Sequence, residues 1–153
     1  MSALKLAKGI TGDWSKISVA DTENDSSLYY ADLGPWNHIP FPPPHHPRRF
    51  SEVIEYAISK GTECLVIDSI SHEWEGRGGC LELLEEVQKA QRTANSYTAW
   101  KTVTPLHNKF IEAMLQAPIH IIATMRAKQD YVLEQNDKGK AVPKKVGLKG
   151  IQP

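Results

Sequence analysis

Cysteine is scarce: only Cys64 and Cys80 occur in 153 residues. Two thiols supply neither a disulfide framework nor a ladder of metal ligands, which points to a reducing, cytoplasmic setting. No apolar run approaches the roughly 20 residues of a membrane span, and the N-terminus lacks the roughly 7–15-residue apolar segment of a signal peptide. Neither a membrane nor export is expected. Net charge is also absent, with 18 basic groups against 18 acidic ones. That balance is uneven along the chain, because no acidic residue follows Asp137 while Lys138, Lys140, Lys144, Lys145 and Lys149 do. Internal repeats are missing too. What is present, 41% hydrophobic and 24% charged residues, excludes a wholly disordered, collagenous or membrane-embedded chain. The length suits one domain with one sizeable core.

Ala3, Leu6, Ala7 and Ile10 lie at i, i+3, i+4 and i+7, which predicts an amphipathic helix starting almost at Met1 and ending at Gly9 or Gly12. A strand is expected at Lys16–Ala20, running into the polar cluster Asp21–Asp25. Residues 35–47 hold six of the ten prolines, so they exclude a helix and leave at most a short strand at His38–Phe41. Phe50, Val53, Ile54, Ala57 and Ile58 predict a second helix, with Ser51 near its start and Gly61 past its end. Cys64-Leu65-Val66-Ile67 is a short continuous apolar run closed by Asp68-Ser69, the pattern of a strand buried on both faces.

Gly76, Gly78 and Gly79 open a loop, after which Cys80, Leu83, Leu84 and Val87 give a third helical stripe. Thr104-Pro105 predicts a helix start, with Thr as cap and Pro in the first turn, continuing through Phe110, Ile111, Met114 and Leu115. Ile119–Thr124 reads as another strand. The alternation of helix and strand implies an α/β fold: a parallel sheet with flanking helices and right-handed crossovers. We read residues 1–153 as one domain, with 134–153 a basic peripheral segment and the stretch from Asp137 onward mobile or peripheral.

In such sheets ligands bind outside the carboxyl ends of the strands. Those ends here offer Asp21 and Glu23, then Asp68 and Ser69, then Thr124 and Arg126. The set suits metal-phosphate chemistry, in which an Asp holds Mg²⁺ directly or through water, a Glu deprotonates an attacking water and a Thr hydrogen-bonds a phosphate. Taken singly, a strand-end Asp is as readily a turn former or helix cap.

Taken together, the segments resemble the RecA-like branch of the P-loop ATPases, the AAA-type ATP-binding proteins of phages in particular. Ile17-Ser-Val-Ala-Asp-Thr-Glu23, with the following Tyr30-Ala-Asp-Leu-Gly34, is similar to that family's second strand and its Tyr-Ala-x-x-Leu-Gly helix. Leu65-Val-Ile-Asp68-Ser69-Ile-Ser-His-Glu-Trp-Glu-Gly76 is similar to its Walker B strand, and Ile121-Ile-Ala-Thr124-Met-Arg126-Ala-Lys128 to its sensor strand. The resemblance covers most of residues 3–150. It implies ATP and Mg²⁺ as cofactors, Glu23 as the water-activating base, Asp68 on the Mg²⁺ side and acting through water, Ser69 in support, and Thr124 as γ-phosphate sensor. It further implies work on DNA in recombination, repair or replication, and a ring or filament of subunits.

One departure stands out: the sequence holds no G-x-x-x-x-G-K-[ST]. The family sets that phosphate loop immediately before the helix that here begins at Ser2 or Ala3, and its backbone N–H nest and Lys supply most of the phosphate grip. The resemblance therefore describes a core incomplete at both ends, inactive by itself, with an open edge at Ile119–Thr124. A non-catalytic DNA- or protein-binding module on a degenerate scaffold is the alternative.

His45-His46 and His72-Glu73 lack a third ligand at a recognisable spacing, and no metal is assigned to them. Trp74 either stacks on a base of single-stranded DNA or anchors the glycine-rich turn. The terminal lysines, Lys144 and Lys145 among them, either neutralise DNA phosphates, reach a neighbouring subunit's nucleotide or are simply solvated.

Overall fold

Side chains of a strand alternate between two faces, so a run that is apolar throughout needs cover on both. The computed structural model, which describes residues 2–90, 96–135 and 141–150, provides that cover. Strands β1 (Ile17–Asp21), β2 (Asn37–Pro40), β3 (Cys64–Asp68) and β4 (His120–Ala123) form one all-parallel sheet in the order β2-β1-β3-β4. Among the described residues five α-helices accompany it: α1 (Ser2–Thr11), α2 (Pro47–Ser59), α3 (Ser71–Glu75), α4 (Cys80–Ala90) and α5 (Ser96–Gln116). Ile17 and Val19 of β1 and Cys64 and Val66 of β3 pack against Leu4 and Ala7 of α1. Ala20, Leu65 and Ile67 point the other way, onto Phe50, Ile54 and Ala57 of α2 and Phe110 of α5. The result is the expected α/β sandwich. No described helix is long and apolar enough to cross a membrane.

Several local expectations are corrected. The covered face of α1 is Leu4 and Ala7, while Leu6 and Ile10 stay exposed: the helix meets β1 and β3 along a narrow line, and the wider apolar stripe has no second partner there. Helix α2 starts at Pro47, earlier than expected, because the His46 side chain accepts a hydrogen bond from the Arg48 N–H (3.1 Å) and caps it. The stretch Ser26–Leu33 forms 3-10 turns, not a regular α-helix.

Helix α5 begins at Ser96 with Pro105 in its interior. Proline removes one backbone donor there, but Ala99 and Val103 are buried upstream of it and Phe110 downstream. One continuous packed face thus carries the helix through the proline. Residues 91–95 lie outside the described residues.

The expected basic peripheral segment instead contains regular strand. Ala127–Gln135 (β5) and Ala141–Gly150 (β6) pair antiparallel as a separate two-stranded sheet. Lys145 stands opposite Tyr131 and Lys144 opposite Val132, both just past an irregularity between Asp130 and Tyr131. Lys138 and Lys140 lie outside the described residues. Among the described residues β4 has one neighbour, β3, so its other edge is unpaired, as the resemblance implied.

Candidate functional site

Parallel register brings the polar strand ends together. Asp21 and Asp68 are partners across β1 and β3, and Thr124 follows β4 with its N–H donating to the Ile67 carbonyl at 3.0 Å. The Asp68–Ser69 peptide is cis. Asp21 does not face the crevice. It is buried, and its two carboxylate oxygens accept the N–H groups of Glu23 and Ser27 at 2.7 Å each, so it shapes the turn that presents Glu23.

Thr22 joins β1 to β3. Its hydroxyl donates toward the Asp68 and Ser69 carbonyls (3.0 and 3.1 Å) and accepts from the Ser69 N–H at 2.8 Å. The remaining lone pair faces His72 Nδ1 at 2.7 Å, which makes Nδ1 a donor and leaves Nε2 aimed at Glu23 Oε1, 3.9 Å away. Sequence reasoning gave Thr22 no role. A hydroxyl directly after a strand, able to saturate its donor and both acceptors across a neighbouring strand end, is the signal that was available.

Glu23 is the centre of the cluster. Arg126 grips it in a fork, Nε to Oε1 at 3.1 Å and Nη2 to Oε2 at 2.6 Å, and Ser69 Oγ donates to Oε1 at 3.2 Å. Partial burial by itself would raise the Glu23 pKa, but the Arg126 hydrogen bonds, the nearby His72 and Ser69 outweigh it and hold the carboxyl below the usual glutamate value. Arg126 is held in its charged form chiefly by the Glu23 hydrogen bonds. Its backbone N–H donates to Ser71 Oγ at 2.8 Å, and its Nη1 lies 4.0 Å from Glu75. On the other side, Thr124 Oγ1 donates to Asp68 Oδ1 at 2.5 Å. Glu23, Asp68, Ser69 and Thr124 are therefore neighbours in space although spread over a hundred residues of sequence. A cavity of about 350 Å³ opens beside them, lined by Glu23, His45, His72, Glu75, Arg77 and Arg126 among others.

The profile of the AAA domain family matches residues 14–149. The chain belongs to the AAA domain family. That places it among nucleotide-binding, ATPase-type domains with a P-loop-like α/β core, and the match runs from before β1 through the β5–β6 hairpin. No curated protein and no solved structure matches the chain.

Other residues singled out earlier have settled positions in this AAA domain. Trp74 stacks on Trp100 (centroids 5.3 Å apart, planes 10°) and meets the His107 ring edge-on at 5.5 Å, so one of its faces is already covered. The side chain of His46 caps α2. His45 stacks on His72 at 4.8 Å and its Nε2–H donates to the Phe41 carbonyl at 3.1 Å, which leaves Nδ1 buried with no partner among the described residues. A Cβ on Gly76 would come within 2.8 Å of that Nδ1, so glycine is required where the turn passes the ring.

Burial, then the nearby His72 and Arg49 charges, lower the His45 pKa beneath the ordinary 6.5. The unfolded chain therefore binds a proton here more readily than the folded one, and stability is fully present above about pH 6.5 and falls as pH drops toward the folded-state pKa. Urea unfolding at neutral pH and at about pH 5.5 is expected to show this loss, and His45→Phe to reduce it. Equal losses in parent and variant would assign the effect to another group.

Proposed function

We propose that this AAA domain carries the Mg²⁺-coordinating, water-activating and sensing groups of an ATP hydrolysis site that drives work on DNA in recombination, repair or replication. The observation supporting it is the convergence of Glu23, Asp68, Ser69 and Thr124 at the carboxyl ends of β1, β3 and β4, where open parallel sheets bind ligands. In this reading Glu23 takes the proton of the attacking water, and Thr124 senses the γ-phosphate. Asp68 fits Mg²⁺ because it is a hard oxygen donor at a strand end, partly exposed, with one oxygen oriented by Thr124. Asp68 would hold the ion through water with Ser69 in support, and the bound ion would neutralise phosphate charge.

The 153 residues lack a G-x-x-x-x-G-K-[ST] loop, so the main phosphate grip has to come from outside them. Calorimetric titration of this chain with Mg²⁺-ATP is expected to show binding weaker than micromolar, and fusion of a phosphate loop ahead of Ser2 to strengthen it. Micromolar binding by the 153-residue chain alone would overturn this account. A second reading, a non-catalytic DNA- or protein-binding module, draws on the Arg126 fork that occupies both oxygens of Glu23. It requires that the fused loop leave ATP binding and hydrolysis unchanged.

Single-stranded DNA is the proposed polymer partner, through Lys144 and Lys145 of β6 with Trp74 as a stacking surface, and ring or filament assembly belongs to the same proposal. Anisotropy of a labelled oligonucleotide across a salt series tests the lysines. Replacing both by Ala should flatten the slope of log K against log salt by up to about 1.4, at about 0.7 per phosphate. An unchanged slope removes them from the DNA surface.

A further inference from the structure

A carboxylate taken out of water needs compensation, ordinarily a guanidinium or ammonium partner. Glu73 of α3 is 2% exposed, and among the described residues no lysine or arginine pairs with it. Its carboxylate meets instead Cys80 Sγ, which donates to Oε1 at 3.2 Å, and His107 Nδ1, 3.1 Å from Oε1 and 3.0 Å from Oε2. The three donor atoms lie within 4.8 Å of one another. They come from three helices, α3, α4 and α5. Cys80 is fully buried, and the His107 side chain retains 17% exposure, so the cluster is open toward solvent on one side only.

We propose that Glu73, Cys80 and His107 form a binding site for a thiophilic divalent cation of the Zn²⁺ type. Thiolate, imidazole and carboxylate together are a zinc donor set, and bonds of about 2.0–2.3 Å to a tetrahedral ion put its donors roughly 3.3–3.8 Å apart, a spacing comparable with the cluster's own. Three protein ligands leave the fourth position to water. On binding, the Cys80 S–H bond breaks, an S–Zn bond forms and the proton leaves to solvent, while His107 moves its ring proton from Nδ1 to Nε2 and offers the freed lone pair. One thiolate and one carboxylate then match the two positive charges of the ion, which answers the burial of Glu73 without a lysine or arginine partner.

A reactive-thiol role does not fit. Burial first, and the adjacent Glu73 carboxylate second, push the Cys80 pKa far up, so without an ion the thiol is a hydrogen-bond donor and not a nucleophile. The Trp74–Trp100 stack and the Trp74–His107 edge contact wall the cluster. His72 and Glu75 on the same short helix face the ATP-site candidates. An ion here would clip α3, α4 and α5 together directly behind that site.

Co²⁺ is the probe, because a thiolate ligand announces itself by sulfur-to-cobalt charge-transfer absorption. The full 153-residue chain is expected to bind one Co²⁺ with that band, to lose the band when Zn²⁺ is added, and to keep it in Cys64→Ser. Cys80→Ser should abolish the band, and His107→Gln should weaken binding at least about tenfold, as expected when a ligand of the ion is lost. X-ray absorption on the unmutated, Zn²⁺-loaded chain covers the case of a variant that does not fold, with one sulfur and one imidazole in the ion's shell as the expected result. No charge-transfer band in the unmutated chain, a band that follows Cys64 instead of Cys80, or a shell without sulfur would each overturn the site and leave Glu73, Cys80 and His107 as a hydrogen-bonded core network.

Discussion

With a phosphate loop fused ahead of Ser2, Glu23→Gln is expected to retain Mg²⁺-ATP binding and to lower hydrolysis by about 10²–10⁴-fold, the usual worth of a positioned general base. Glutamine keeps the shape of Glu23 but cannot take the proton of water. The change also breaks the charge pair with Arg126, whose two nitrogens now hold both carboxylate oxygens, so the variant tests the fork as well as the base. Steady-state phosphate release and calorimetric binding, measured together, separate the two effects: loss of hydrolysis with binding kept is the expected pattern. Hydrolysis at the parent rate would reduce Glu23 to a strand-end anchor for Arg126. Because Arg126 and its neighbours hold the carboxyl below its usual range, Glu23 stays ionised through neutral pH. For Glu23 to serve as the proposed base, Arg126, which occupies both of its oxygens, has to turn away before a water can approach.

Phe50→Ala should cost about 3–5 kcal/mol of folding stability, the range for removing a fully buried phenylalanine. Phe50 has no exposed surface, and its ring lies 4.6 Å from Phe41 and 5.1 Å from Phe110. Those contacts join α2 to the end of β2 and to α5, so the cavity would open where three elements meet. At roughly 2–4 °C per kcal/mol for a chain of this size, the midpoint of thermal unfolding should fall by about 6–20 °C. A denaturant midpoint that falls with unchanged slope would show that only stability was altered. A loss below about 1 kcal/mol would mean that α5 closes over the gap.

The sheet was legible because its central strand, Cys64–Asp68, is apolar on both faces and ends in a polar pair, and because α2 carries an unbroken i, i+3, i+4 stripe. The convergence of Glu23, Asp68, Ser69 and Thr124 followed from the strand-end rule once the strands were in place, and Arg126 stood at one of those ends. The misses have physical causes. Periodicity finds an apolar face but not its partner, which is why it places Ala7 correctly yet expects Leu6 and Ile10 to be buried where Leu4 is. A local rule for proline started α5 at Thr104, whereas packing of Ala99 and Val103 overrode it. The Glu23–Arg126 fork spans 103 residues and the Glu73–His107 contact 34, separations over which no local pattern operates. β6 carries Pro143, Gly147, Gly150 and three lysines, a composition that reads as a basic peripheral segment until β5 is there to pair with it.

The outer side of β4 has a further meaning for the molecule in solution. Among the described residues nothing pairs with that edge, so its amides and carbonyls are a template on which another extended polypeptide can add as a fifth strand. Folded domains commonly keep such templates apart by mutual repulsion, yet this chain has no net charge at neutral pH and so has little long-range force to hold copies at a distance. Whatever covers β4 in the cell therefore has a colloidal task as well as an architectural one: it keeps a neutral protein from using its own sheet as the seed for association.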